Sequence, residues 1–377
     1  MPTDMRSDLE DWLRLVLTSG VGPVTGRRLL DHFETPTAAL RASPDEWRAL
    51  GLTDEVVTAL AEGQAAEEAA RQLAALARSG GRAITLADSD YPTLLREIYG
   101  APLILFVKGA WREAIAQPCI AVVGSRACST YGRNAAAKLT RDLAACGVTI
   151  VSGLARGIDA VAHEAALDAQ GRTIAVLGTG LDDVYPRENA KLADRIAETG
   201  ALVTEFPFGK APTPKNFPYR NRVIAGLCLG VLVVEAAEQS GSLITARLAL
   251  EQGREVFAVP GNITSSRSVG TNRLIQDGAK LVMDWRDVVE EFSYELRRRL
   301  RHKQSPETPA QHPLPLALTE DEQALLALVS FDQPVHIDTL IVQSGLGQPR
   351  AMAALLNLTL NGALSELPGK CYVRVLR

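Results

Sequence analysis

The chain of 377 residues has no run of 18 apolar residues, and its start, Met1 to Leu9, is charged and carries no signal-peptide core. A soluble, cytoplasmic protein with no membrane contact is the expectation. The five cysteines, Cys119, Cys128, Cys146, Cys228 and Cys371, are odd in number and lack CxxC spacing, which suits buried free thiols in a reducing compartment. The five histidines are scattered, with no pair at ligand spacing beside a cysteine, so no metal is expected. A formal net charge of −4 provides no general basic coat, so any polyanion site has to be a local patch. No Gly-Lys-Ser/Thr supports a Walker-type ATP site. A dinucleotide fingerprint is missing too: the first strand turn is Gly124-Ser125-Arg126, and the second strand ends in Ser152-Gly153 where a ribose-binding acid would stand. No cofactor is expected.

What is present is a chain long enough for two or three domains, with 46% hydrophobic residues. Residues 1–80 read as helical. Leu9, Trp12, Leu13 and Val16 recur at helical spacing, and Ser19-Gly20-Val21-Gly22-Pro23 breaks the pattern before Leu29, Leu30 and Phe33. Ser43 to Glu46 has capping-box spacing, and an alanine-rich helix spans about Gln64 to Arg78. The glycine turn is similar to a helix-hairpin-helix, a motif whose amides can hold phosphate, but small helical bundles need such turns anyway.

From Arg82 the period changes. Short apolar runs, among them Leu103 to Val107, Ile120 to Val123, Thr173 to Leu177, Val231 to Val234 and Lys280 to Met283, alternate from Ile120 onward with helical patterns. That pattern predicts an α/β domain over 81–300, a mainly parallel doubly wound sheet with helices on both faces. Its strand-to-helix loops emerge at one edge, where ligands bind. Nearly every such loop carries Gly or Ser: Gly124-Ser125-Arg126, Ser152 to Gly157, Gly178-Thr179-Gly180, Ser240-Gly241-Ser242 and Pro260-Gly261-Asn262. Small residues in adjacent loops let a ligand backbone approach the amides along a groove.

One of these loops is different. Pro214 to Arg222 interleaves Lys215, Arg220 and Arg222 with Phe217 and Tyr219, with Glu205 the acid nearest in sequence. Asn216 as a cap and Pro218 in the first helical turn would aim free N–H groups out of the loop. Interleaved cations and aromatics suit single-stranded nucleic acid, whose phosphates follow charge and whose free bases stack. A ring beside proline also fits a core plug. A nucleotide-binding enzyme of this fold, such as a nucleotide hydrolase, is the rival reading. It would draw on Asp159 and His163, four apart on one helical face, or Glu235 at a strand end, yet an acid in a first turn and a histidine among alanines suit structure equally. No catalytic constellation is assigned.

Val123 to Arg126, Ser152 to Asp159, Lys215 to Asn221, Ser240 to Ala246, and Pro260-Gly261 with Gly270 to Ile275 occur in order, and over about Arg82 to Asp284 the chain resembles the DprA (Smf) DNA-processing family. The resemblance implies an extended Rossmann domain that binds single-stranded DNA without cutting it, forms a homodimer, and loads the RecA recombinase during natural transformation. It implies phosphate contacts from Ser125, Arg126 and Lys215, base stacking on Phe217, and a pocket completed by Arg220 and Asn221. The expected DNA-contacting set is Gly124, Ser125, Arg126, Ser152, Gly153, Lys215, Asn216, Phe217, Arg220, Asn221, Arg222, Ser240, Gly241, Ser242 and Asn272. The helical front end is similar to the sterile-alpha-motif-like domain of some members.

Prolines 306, 309, 313 and 315 mark a linker over 301–318. Thr319 to Glu322 then opens three helices and a strand pair around Pro368-Gly369, a pattern that resembles a winged helix over 319–377. Its third helix, about Pro349 to Leu360, carries only Arg350 among leucines, so a protein contact is at least as well supported as sequence readout.

Overall fold

The structure is a computed structural model that describes residues 8–303, 318–331 and 333–375. Its centre is a sheet of strands β1 (Arg82–Thr85), β2 (Ile104–Gly109), β3 (Cys119–Val123), β4 (Thr149–Ser152), β5 (Thr173–Val176), β6 (Ala201–Thr204), β7 (Gly230–Val233), β8 (Glu255–Ala258) and β9 (Lys280–Leu281). Their order in the sheet is β1-β2-β6-β5-β4-β3-β7-β8-β9. From β6 to β9 neighbours run parallel, whereas β1 and β2 form an antiparallel edge joined to β6. The central strands are apolar throughout because both faces are covered: Ala121 and Val123 of β3 face one core, Ile120 and Val122 the other.

Chain order fixes where a ligand can enter. After β3 the chain builds β4, β5 and β6 on one side; β7 then lies on the other side of β3 and leads to β8 and β9. The loops that follow β3 and β7 therefore diverge and leave a crevice at the carboxyl ends of the strands.

The N-terminal helices, from Leu9–Leu17 to Ala66–Ser79, share the first of these cores with the sheet, through Leu13, Leu29, Trp47 and Leu76 among others. Gly26 lies against Leu103, and the Gln72 side chain locks onto loop residue 208: Gln72 Nε2 donates to the Phe208 carbonyl at 3.0 Å, and the Phe208 amide donates to Gln72 Oε1 at 2.8 Å. The Ser43 capping box forms as read from sequence.

Helices Glu320–Leu328, Ile337–Ser344 and Gln348–Leu360 pack around Leu325, Leu340, Leu355 and Leu358 beside an antiparallel sheet of β10 (Val335–His336), β11 (Leu364–Leu367) and β12 (Cys371–Arg374), which gives a winged helix. Thr319 caps the first of these helices in a capping box, and His336 occupies the N-cap of the second. Arg350 is engaged by Asp321 through two hydrogen bonds of 2.9 and 2.6 Å, and the third helix shows solvent Met352, Leu356 and Leu360. The linker expected over 301–318 falls mostly on residues 304–317, outside the described residues.

Candidate functional site

The crevice is a cleft of about 730 Å³, lined by the ends of β3 and β7, the loops after β4, β5 and β6, and the starts of helices Asn216–Gly226 and Gly241–Glu251. Each loop is held by its own backbone chemistry. The Ser125 amide donates to the Glu235 carbonyl at 2.7 Å, and a Cβ on Gly124 would come within 2.7 Å of Ile158. Gly157 has φ +74 and presses against the carbonyls of Ser125 and Arg126, a position that needs glycine on both counts. The Glu235 side chain accepts from the Ser129 amide and hydroxyl, both at 2.7 Å, while Ser129 caps helix Thr130–Ala145 through the Gly132 amide. Glu235 thus ties the β7 end to the β3 loop, and its carboxylate is fully engaged.

The floor is polar and buried. Asp159 accepts from the amides of Gly153 (3.1 Å) and Ala155 (3.3 Å), and Arg220 donates to the Val176 carbonyl at 2.6 Å. Burial pushes the Asp159 carboxyl up, opposed by the positive charge of Arg220. Burial also lowers Arg220 to about 10, which leaves it charged at neutral pH. His163 lies deeper in the same helix as Asp159, and its Nδ1 is 2.7 Å from the Thr173 hydroxyl. That hydroxyl donates to the Ile150 carbonyl, so it can only accept from the ring: His163 is the Nδ1–H tautomer, held neutral by burial at about 3.

The rim carries the aromatic and the free cations. Phe217 lies half-buried over Gly178, with the Arg126 guanidinium 5.5 Å from the ring centroid and the Tyr185 ring 5.5 Å away at 41°. Tyr185 is 45% exposed and lines the cleft, yet nothing in the sequence pattern singled it out, because the loop after β5 was read for its glycines. Arg126 and Lys215 are exposed.

The sequence-expected residues fall into two groups, with Arg220 belonging to both. Gly124, Ser125, Arg126, Phe217, Arg220, Asn221, Ser240, Gly241 and Ser242 surround the one cleft, with Lys215 at the N-cap beside it. Six expectations need correction in their local role. Ser152 is buried and its hydroxyl donates to Val122 at 2.6 Å. Gly153 is buried against the Arg220 guanidinium, where any Cβ would collide with it. Asn216 does not cap its helix: it is the first helical residue, and its amide group donates to the carbonyls of Gly178 (2.8 Å) and Ala211 (3.1 Å). Arg220 is only 4% exposed, part of the floor rather than a surface cation. Arg222 pairs with the buried Glu205 and donates to the Gly100 carbonyl. Asn272 is engaged at both ends of its amide by the Gly261 backbone, at 3.1 and 3.0 Å. The helix start also offers fewer amides than expected, since Asn216 N donates to Thr213 O and Pro218, at the third position, has none.

A doubly wound domain with its cleft at the switch point, flanked by a helical unit and a winged helix, defines the class: an extended Rossmann-fold protein of three parts. Residues 82–293 match the family model described as DNA recombination-mediator protein A, residues 307–370 the DprA winged helix domain, and residues 6–70 the DprA-like N-terminal HHH domain. The chain belongs to the DNA recombination-mediator protein A (DprA/Smf) family. The helix-hairpin-helix description attaches to the unit for which the resemblance implied a sterile-alpha-motif-like domain. Protein Smf of Escherichia coli (strain K12) is 46% identical over 297 residues, covering 77% of each chain. DNA processing protein DprA of Streptococcus pneumoniae (strain ATCC BAA-255 / R6) is 50% identical over 210 residues, covering 56% of this chain and 74% of the relative. The X-ray structure of Streptococcus pneumoniae DprA superposes with a TM-score of 0.65 at 39% identity, over 76% of this chain and 98% of that one. The DprA structure from Helicobacter pylori, described for its single-stranded DNA binding mode, gives 0.51 at 30% identity, over 56% and 96%.

Proposed function

We propose that this protein binds single-stranded DNA in the switch-point cleft as a recombination mediator, without cutting it. The observation that carries the reading is Phe217: a half-buried ring beside the exposed Arg126 and Tyr185, at the mouth of a cleft whose loops are kept small by Gly124, Gly153, Gly157 and Gly178. An unpaired base can stack there while its phosphates meet Arg126, Lys215 and the Ser125 and Gly241 to Ser242 loops. The Helicobacter pylori relative, described as binding single strands, supports the same ligand class.

The reading includes the division into 1–80, 81–300, 301–318 and 319–377, cytoplasmic location, and a role in natural transformation with loading of RecA. It also includes a homodimer. Leu250 and Ile263, 62% and 89% exposed, line a second cleft of about 650 Å³ with Val269 and Leu274, near the last strands, where an apolar face calls for a partner. A nucleotide hydrolase at this site is less well supported, because Glu235 is occupied by Ser129 and Asp159 by two backbone amides.

Titration of a labelled oligothymidylate against its duplex at several salt concentrations tests the ligand. Single-strand preference with a salt-dependent constant is expected; equal affinity for duplex, or no binding at low salt, would refute it. Sedimentation at micromolar concentration showing only a monomer would remove the dimer.

A further inference from the structure

Helix Asn216–Gly226 carries two aromatic residues in its first turn, and only Phe217 lines the cleft. Tyr219 is two residues on, about 200° further round the helix. It lies outside the cleft, 42% exposed, with the Phe206 ring 6.2 Å away at 50°. The Arg222 guanidinium sits 4.3 Å from the Tyr219 ring centroid, closer than either cation near Phe217. It is a fixed backing and not a mobile surface charge. Glu205 and the Gly100 carbonyl hold it, and the Arg222 and Glu205 side chains are only 11% and 8% exposed. A lone exposed tyrosine is ordinary. A tyrosine clamped by a desolvated ion pair is not, because burying two charges carries a desolvation penalty that a merely solvated ring does not require. The loop from β6 into this helix also carries Lys210 and Lys215, both exposed and without an acidic partner among the described residues.

We propose that Tyr219, backed by Arg222, is a second base-stacking platform. It would take an unpaired base from the same strand that Phe217 holds, with the intervening backbone crossing the N-terminal end of the helix beside Lys215. This rests on the single-strand reading of the cleft and adds a second subsite to it. The helix, roughly 10 to 12 Å across with its side chains, separates the two rings, so bases on its two sides cannot stack on each other and each needs its own platform. A guanidinium on one face leaves the other face of the ring for the base, and stacking of this kind tolerates any base.

The test is affinity against length, with oligothymidylates of roughly 4 to 16 nucleotides on the full-length protein. Wild type should bind the longer oligomers more tightly than the shortest. Tyr219→Ala should remove roughly five- to 150-fold from the long oligomers and leave the shortest unchanged, and Tyr219→Phe should behave as wild type. Tyr219→Trp gives a second readout: its added fluorescence should be quenched by the long oligomer and not by the shortest. Unchanged long-oligomer affinity in Tyr219→Ala, equal losses at every length, or an unquenched Tyr219→Trp would overturn the platform. Failure of wild type to bind any single strand would instead overturn the cleft reading itself.

Discussion

The Phe217 ring rests on Gly178 so closely that a Cβ there would stand 2.9 Å from Cδ1 and 3.1 Å from Cε1. The aromatic at the cleft mouth is therefore positioned by the absence of a side chain one strand away. Gly178→Ala should displace the ring and weaken single-strand binding with no change in charge. Phe217→Ala should cost roughly five- to 150-fold on single strands, little on duplex, and leave the salt slope alone. Titrations of both variants on both substrates check this; equal losses on single strand and duplex would reduce the cleft to a phosphate site.

Among the described residues, Arg126 and Lys215 are exposed cations at the cleft without an acidic partner. Replacing either with Ala should flatten the logarithmic salt dependence by about 0.7 per lost single-strand phosphate contact. Arg41→Ala, an exposed cation of the helical unit, serves as the control that should not. A folded Arg126→Ala protein with the wild-type slope would take that residue out of the site.

Arg220 should behave as a foundation. Removing it takes away the main positive charge that opposes the burial of Asp159 and leaves the Val176 carbonyl without its donor, so Arg220→Ala should destabilise the fold. Asp159→Asn in the Arg220→Ala background should recover part of that stability, since the two are coupled. Urea unfolding of the two single variants and the double variant measures the coupling, and strictly additive losses would show there is none.

His163 is neutral in the folded state, with its pKa pushed down to about 3 by burial, below the ordinary histidine value. The unfolded chain then takes up a proton that the folded one refuses, so stability present above about pH 6.5 is lost as pH falls toward 3, by about 1.4 kcal/mol per unit from this group. Subtracting the unfolding free energies of His163→Gln from wild type at pH 7 and pH 5 isolates the effect. A difference independent of pH would mean that folding leaves the His163 pKa at its unfolded value.

How far the sequence could be read depended on range. Runs such as Ile120 to Val123 and Val231 to Val234 announced a doubly wound sheet because a strand covered on both faces has to be apolar throughout. The antiparallel pairing of β1 and β2 was not legible, since pairing direction is set by partners far along the chain. At the cleft, residue types were informative and their allegiances were not. Arg126 and Arg222 look alike as cations beside aromatics, but Glu205, seventeen residues before Arg222, neutralises one of them only. Asn216 looks like a cap until the carbonyls of Gly178 and Ala211 claim its side chain. Tyr185 was invisible because its meaning comes from the Phe217 ring on another loop.

The paired hydrogen bonds between the Gln72 side chain and the Phe208 backbone imitate one rung of a β-ladder, with a side chain standing in for a neighbouring strand. Phe208 belongs to the loop that leads into Lys215 and Phe217, and the helices that supply Gln72 share an apolar core with the sheet. Helical unit and cleft should therefore melt as one cooperative body. Calorimetry of residues 8–303 would show a single transition, and two resolved transitions would mean that the rung is too weak to join them.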